Sequence, residues 1–301
     1  MPVTIRQVGP CFAGEVSGID MRKPMTAQEV AAIHAGMDKY AVLVFRDQDI
    51  DDAQQLAFTR SLGDIEHAIG TSLRAANETR LPTTFADVSN LDKDNKPYAR
   101  DDRRRLFAIG NRLWHSDSSF KVIPAKYSLL HAVSLPSKGG DTQFADMRAA
   151  YDALDEETKA LVQDMVCEHS QMYSRQVIGF TDFTDEERER FRPVRQCMVR
   201  THPVTGRKSL YLSSHAGEIV GGGQHELRTA LGHTSVHIHG GLCGFEFFHG
   251  LHEAGGIDDH VGLFEVRFLR LQMVFGGSDG ILDAFPLAGF VIGKLFPGRC
   301  R

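Results

Sequence analysis

His115 and Asp117 stand two positions apart in NRLWHSDSSF, residues 111–120. Alternate side chains of an extended chain share a face, so a strand or strand end carrying this pair would aim an imidazole and a carboxylate at one point. A distant histidine would complete three ligands, the arrangement with open positions found in non-haem Fe(II) oxygenases. The tripeptide alone has little specificity, because a hydrogen-bonded histidine beside a capping aspartate gives the same letters. A zinc hydrolase built on the pair would also need a general base, and no H-E-x-x-H spacing is present. Trp114 reads as a large core anchor beside the pair.

The flanking pattern supplies elements that could position such a site. Thr26 and Glu29 form a capping box, and Val30, Ile33 and Met37 recur on one face, which predicts a helix over residues 26–40. AVLVFRD (41–47) predicts a buried strand, and Asp51 caps a second helix ending at Gly63. Residues 64–108 are polar and irregular, a loop length usually tied to function or disorder, and RDDRRR within it reads as solvated loop. AKYSLLHAV predicts a strand, and SLPSKGGDTQF a turn leading into another. MRAAYDAL and EETKALVQDMVCEH predict helices, and QCMVRTH and KSLYLSS two strands joined by PVTGR. Strands around a ligand pair with helices outside indicate an α+β, mainly β fold of sandwich or jelly-roll type.

The chain has 301 residues, enough for one large domain or two ordinary ones, and a net charge of −5 argues against nucleic-acid or anionic-membrane surfaces. Five scattered cysteines with no CxxC pair fit reduced thiols. MPVTIRQVGPCF lacks a signal peptide's features, and ILDAFPLAGFVIGKLF is broken by Asp283, Pro286 and Lys294. The expectation is a soluble cytoplasmic protein, with a homo-oligomer left open.

The blocks FAGEVSGIDMRKPMT, AVLVFRDQDIDDAQQLAFTRSLGDIE, FADVSNLD, NRLWHSDSSF, KYSLLHAV, GGDTQFADMRAAYDAL and VRTHPVTGRKSLYLSSHAGEIVG together resemble the taurine and 2,4-dichlorophenoxyacetate dioxygenase family, nearest to its aryloxyacetate-degrading branch. The resemblance runs over about residues 5–220 and implies a double-stranded β-helix, or jelly roll, with flanking helices. It implies Fe(II) and 2-oxoglutarate as metal and cosubstrate, O2 as oxidant and a small anionic substrate. Hydroxylation at the ether carbon of an aryloxyacetate would release a phenol and glyoxylate. His115 and Asp117 match the first two iron ligands of the family. Thr142 matches a threonine that helps hold the 2-oxoglutarate carboxylate, though an ordinary strand threonine would read the same. Asn111 and His67 fall where family members line the substrate side. His131, His169, His202 and His215 read as structural.

Past Val220 the character changes. Residues 221–301 hold 17 of the 29 glycines, where uniform usage would give about 8, and 7 of the 14 histidines. The family's W-D-N-R run, its third histidine and its closing arginine-rich segment are missing, and the expected histidine falls at about Phe264. His260, followed by Arg267 and Arg270, is the nearest substitute, with Arg270 taken as the 2-oxoglutarate partner; His237, His239, His249 and His252 are weaker candidates. The division is therefore residues 1–220 as a dioxygenase domain and 221–301 as an atypical tail, of the kind a changed reading frame would produce. Without the tail's ligands the chain would be an inactive or truncated relative, at most a weak binder of metal or carboxylates, with sheet edges left uncovered.

Overall fold

The computed structural model describes residues 2–8, 12–67, 73, 80–134, 142, 144–222, 265–272 and 289–294. Its centre is a seven-stranded sheet, order β1-β2-β3-β12-β5-β11-β4, formed by β1 (Thr4–Gln7), β2 (Gly14–Ser17), β3 (Val42–Arg46), β4 (Ala86–Ser89), β5 (Lys126–Ser134), β11 (Glu265–Gln272) and β12 (Gly289–Lys294). Every pairing in it is antiparallel except β2 with β3. A three-stranded sheet joins β10 (Ala216–Ile219), β6 (Val166–His169) and β7 (Val194–Cys197), and a hairpin joins β8 (Val199–Thr201) and β9 (Lys208–Leu210).

The first helices form where local chemistry demands. Thr26 and Glu29 close a reciprocal capping box on α1 (Ala27–Tyr40), and Asp51 with Gln54 does the same for α2 (Asp52–Leu62), whose C-cap is Gly63. Both lie against the large sheet, α1 on β3 and β12, α2 on β11. Alternation along β5 then separates two environments. Tyr127 and Leu129 join Leu43, Phe45, Ile33, Met37 and Phe58 in the helix-covered core. Leu130 and Ala132 pack on the opposite face with Val42, Val44, Phe12 and Phe144. Ser128 belongs to that second set, and the functional pair is found there.

Several expectations change. MRAAYDAL forms α4 (Met147–Asp152), but EETKALVQDMVCEH is not one helix: α5 (Glu156–Val162) stops, and Val166–His169 is β6, buried on alternate residues. Period-2 burial under a β-branched and cysteine-containing run prevailed over helical spacing. Residues 64–108 contain β4 and most of α3 (Arg103–Ile109), so the RDDRRR cluster is partly helical. Asp102 caps α3, and Arg103 reaches Glu187 on α7 (Asp185–Arg190) at 2.6 and 2.7 Å. Trp114 is 37 % exposed, not a core anchor, because the backbone makes the attachment: its carbonyl accepts from Ser214 N–H at 2.9 Å. Two segments of the tail, β11 and β12, pair on both sides of β5, so the sheet edges expected to lie bare are joined. Cys167 is a buried free thiol, whereas Cys197 is disulfide-bonded, a pairing that scattered spacings cannot reveal. Among the described residues no helix is long and apolar enough to cross a membrane.

Two interior histidines make the fold sensitive to acid. Burial, with Arg200 adding repulsion, holds His169 at about 3. Burial, with Arg148 and Lys126 nearby, holds His202 at about 4, while its Nδ1 accepts from the Val204 and Thr205 amides at 3.3 and 3.0 Å. Both remain neutral in the fold but would protonate near pH ~6.5 once unfolded, so the unfolded chain binds more protons below that value. Stability is therefore full above pH ~6.5 and falls as the pH drops towards 4. Urea unfolding of the metal-free protein between pH 7.5 and 4.5 will show this slope, and His169→Phe, which keeps a ring to stack on Tyr211, will flatten it. An unchanged slope in that variant contradicts the assignment.

Candidate active site

The chain reaches the pair through α3 and a 3-10 turn, Gly110–Arg112, after which Leu113 becomes extended. His115 and Asp117 are not on a strand, as the spacing suggested; they occupy an irregular segment that turns at residues 117–120. Their convergence is nevertheless present: His115 Nε2 lies 3.4 Å from Asp117 Oδ1. Ser118, directly after, has φ +57, a left-handed backbone uncommon for a residue other than glycine. That kink turns the chain away immediately after the pair.

Each member of the pair has a neighbour that fixes its remaining polar atom. His115 Nδ1 is 2.7 Å from the Leu113 carbonyl, which can only accept, so Nδ1 carries a proton and, in the neutral ring, Nε2 presents the lone pair. Asp117 Oδ2 accepts from Ser128 Oγ at 2.7 Å, and Oδ1 is the atom turned towards His115. Two electron-rich atoms held 3.4 Å apart, each backed by a hydrogen bond on its far side, form a donor set suited to a divalent cation. Protonated, the same imidazole would simply pair with the carboxylate. The side chains are 25 % and 13 % exposed, so the point is reachable but sheltered.

One wall is a buried polar chain that sequence reading missed. The His215 ring centroid is 5.5 Å from that of His115, and His215 is 2 % exposed. Its Nδ1 is 3.0 Å from Ser174 Oγ on α6 (Gln171–Val177). Arg175 Nη1 donates to the same hydroxyl at 2.8 Å, and Nη2 to Asn111 Oδ1 at 2.9 Å. A Cβ on Gly110 would sit 2.7 Å from Arg175 Nε, so only glycine lets this arginine pass, and Phe107 lies beneath its guanidinium at 4.3 Å. On another side Glu66 pairs with Lys121 and accepts from Ser118 Oγ at 3.5 Å, tying the chain just before His67 to the turn. Tyr211, fully buried beneath Arg200, is close enough to Asp117 for that carboxylate to oppose its ionisation, although burial is the main reason its hydroxyl stays neutral.

The other expected residues fall at different distances from this centre. Asn111 sits on the 3-10 turn four positions before His115 and contacts Arg175. His67 is exposed, with Nδ1 3.4 Å from Thr83 Oγ1. Thr142 is half-buried, two residues before Phe144, which packs on the Leu130 and Ala132 face. Arg270 pairs in register with Ser128, the residue that holds Asp117, whereas Arg267 pairs with His131. His260 lies outside the described residues, and among those described no group of three histidine, cysteine or acidic side chains could hold a metal. Of the missed residues only Ser128 carried a signal, a small polar side chain in the phase of Leu130 and Ala132.

The Taurine catabolism dioxygenase TauD, TfdA family matches residues 4–239. The alpha-ketoglutarate-dependent 2,4-dichlorophenoxyacetate dioxygenase of Cupriavidus pinatubonensis is 40 % identical over 226 residues, 73 % of this chain and 77 % of that protein. The (S)-phenoxypropionate/alpha-ketoglutarate-dioxygenase of Delftia acidovorans is 32 % identical over 72 % of this chain and 73 % of its own length. The crystal structure of AAD-2 in complex with Mn(II) and N-oxalylglycine superposes with a TM-score of 0.76 at 44 % identity, over 99 % of each chain. The chain belongs to the TauD/TfdA family of dioxygenases.

Proposed function

We propose that this protein is an Fe(II)- and 2-oxoglutarate-dependent dioxygenase that hydroxylates a small carboxylate of the aryloxyacetate type, releasing a phenol and glyoxylate. The observation that carries the reading is the approach of His115 Nε2 to Asp117 Oδ1 with a hydrogen bond behind each group. The 2,4-dichlorophenoxyacetate and phenoxypropionate activities of the relatives support the substrate class. The Mn(II) and N-oxalylglycine held by AAD-2, a divalent metal and an oxalyl diacid, support the metal and cosubstrate class. The fold reading is a jelly roll with flanking helices, which the family match and the AAD-2 structure support. Residues 1–220 are the family-like unit, and 221–301 a divergent tail that contributes β11 and β12.

Iron with 2-oxoglutarate and O2 supplies the oxidant for C–H hydroxylation when bound; the chain binds, orients and shelters. His115 and Asp117 would hold the metal, with His260 as the third ligand. The Leu113 carbonyl keeps the His115 Nε2 lone pair aimed inward, and Ser128 keeps Asp117 from rotating away. Thr142 and Arg270 would receive the carboxylates of 2-oxoglutarate. Position 270 suits that role better than 267 because its register partner is Ser128, on the strand phase that serves the site. Asn111 and His67 would line the substrate side, Asn111 oriented by Arg175.

Oxygen uptake and succinate formation with Fe(II), 2-oxoglutarate and an aryloxyacetate test the whole reading. The intact chain should turn over while His115→Ala falls to background; equal rates for the two, or none for either, contradict it. Arg270→Ala should raise KM for 2-oxoglutarate about ten- to a hundredfold, as loss of about 1.5–3 kcal/mol of charge-assisted hydrogen bonding predicts. KM for the organic substrate should move far less. An unchanged 2-oxoglutarate KM removes Arg270 from the site.

A further inference from the structure

The turn after Asp117 must keep a shape it would not choose alone. Ser118 stands at φ +57, and Ser118 and Ser119 are both fully buried. Buried backbone carbonyls there need partners from the protein. Gln196, on β7 and 4 % exposed, supplies two of them: its Nε2 lies 2.9 Å from Ser119 O and 2.7 Å from Lys121 O. A carboxamide nitrogen carries two protons, one for each carbonyl. The orientation of the amide is fixed from its other end. Gln196 Oε1 takes a hydrogen bond from Arg200 Nη2, and an arginine can only donate, so the oxygen must face Arg200 and the nitrogen must face the turn. Arg200 is itself pinned, its guanidinium 3.7 Å from the centroid of the Tyr211 ring.

We infer that Gln196 is a positioning residue for the reaction: locked by Arg200, it grips the backbone at Ser119 and Lys121 and so holds Asp117 in register with His115. The inference rests on the metal-dependent function proposed above. A buried glutamine that merely satisfied two carbonyls would contribute to stability, and its loss would leave the metal site as it was. A positioning glutamine acts on the spacing of the donor pair, so its loss is read in metal affinity. Outer partners that orient metal ligands commonly change affinity about ten- to a hundredfold when removed.

The test titrates Mn(II), followed by its electron paramagnetic resonance signal, into the intact protein and three variants, with melting temperature recorded for each. Gln196→Glu keeps an oxygen for Arg200 and has no N–H for the turn. Gln196→Met keeps the length and neither polar group, and decides the question should Gln196→Glu fail to fold. Val162→Ala opens a cavity in the core between α5 and β6 and serves as the comparator for plain loss of stability. Both Gln196 variants should bind Mn(II) about ten- to a hundredfold more weakly. They should also lose kcat, with KM for the organic substrate nearly unchanged, while Val162→Ala binds as the intact protein does. Gln196 variants that bind Mn(II) no more weakly than Val162→Ala overturn the inference and leave the function standing. An intact protein that takes up no Mn(II) overturns both.

Discussion

An imidazole and a carboxylate face one another across 3.4 Å, and a hydrogen bond on the far side of each keeps it from turning away. His115 is tethered through Nδ1 to its own chain two residues back, and Asp117 through Oδ2 to Ser128 on β5. Most of the described architecture around the site can be understood as support for that meeting. β5 carries Ser128 inside the large sheet, with strands on both sides, so the hydroxyl that holds Asp117 sits on one of the stiffer elements available. The apolar side chains of α1 and α2 press on the alternate phase of the same strand, which leaves the Ser128 phase for chemistry.

Around the pair the protein spends polar groups where a pure core would use apolar ones. Arg175 is almost completely buried and joins α6 to the segment that carries His115, through Asn111 on one side and through Ser174 towards His215 on the other. Gln196 and Arg200 do the corresponding work on the Asp117 side. Buried networks of this kind add little net stability over apolar packing, but they define one arrangement and penalise the rest. That suits a site whose function depends on the relative placement of two side chains more than on any single contact.

Much of this was legible beforehand, and unevenly so. The capping box at Thr26, the cap at Asp51, the strand at 42–46 and the strand at 126–134 follow from local chemistry, which a sequence displays directly. The His-Ser-Asp spacing indicated convergence, and the two side chains do meet at 3.4 Å, but from an irregular segment entering a turn and not from a strand. The supporting residues stayed hidden because their partners lie far along the chain, 64 positions between Asn111 and Arg175 and 77 between Ser119 and Gln196. The short β6 after α5 was hidden for another reason, since four residues are too few for their period to declare itself beside a helix. His215 was visible as a letter, but its place against the His115 ring appears only once the chain is folded.

The central claim is that His115 and Asp117 share a divalent metal, and anomalous scattering tests it without reference to turnover. Crystals grown with Mn(II) and N-oxalylglycine and measured at the manganese edge should show one strong peak within about 2.2 Å of both His115 Nε2 and Asp117 Oδ1, the usual length for nitrogen and oxygen ligands. A peak bound elsewhere, or the two side chains found paired to each other with no peak between them, would contradict the account.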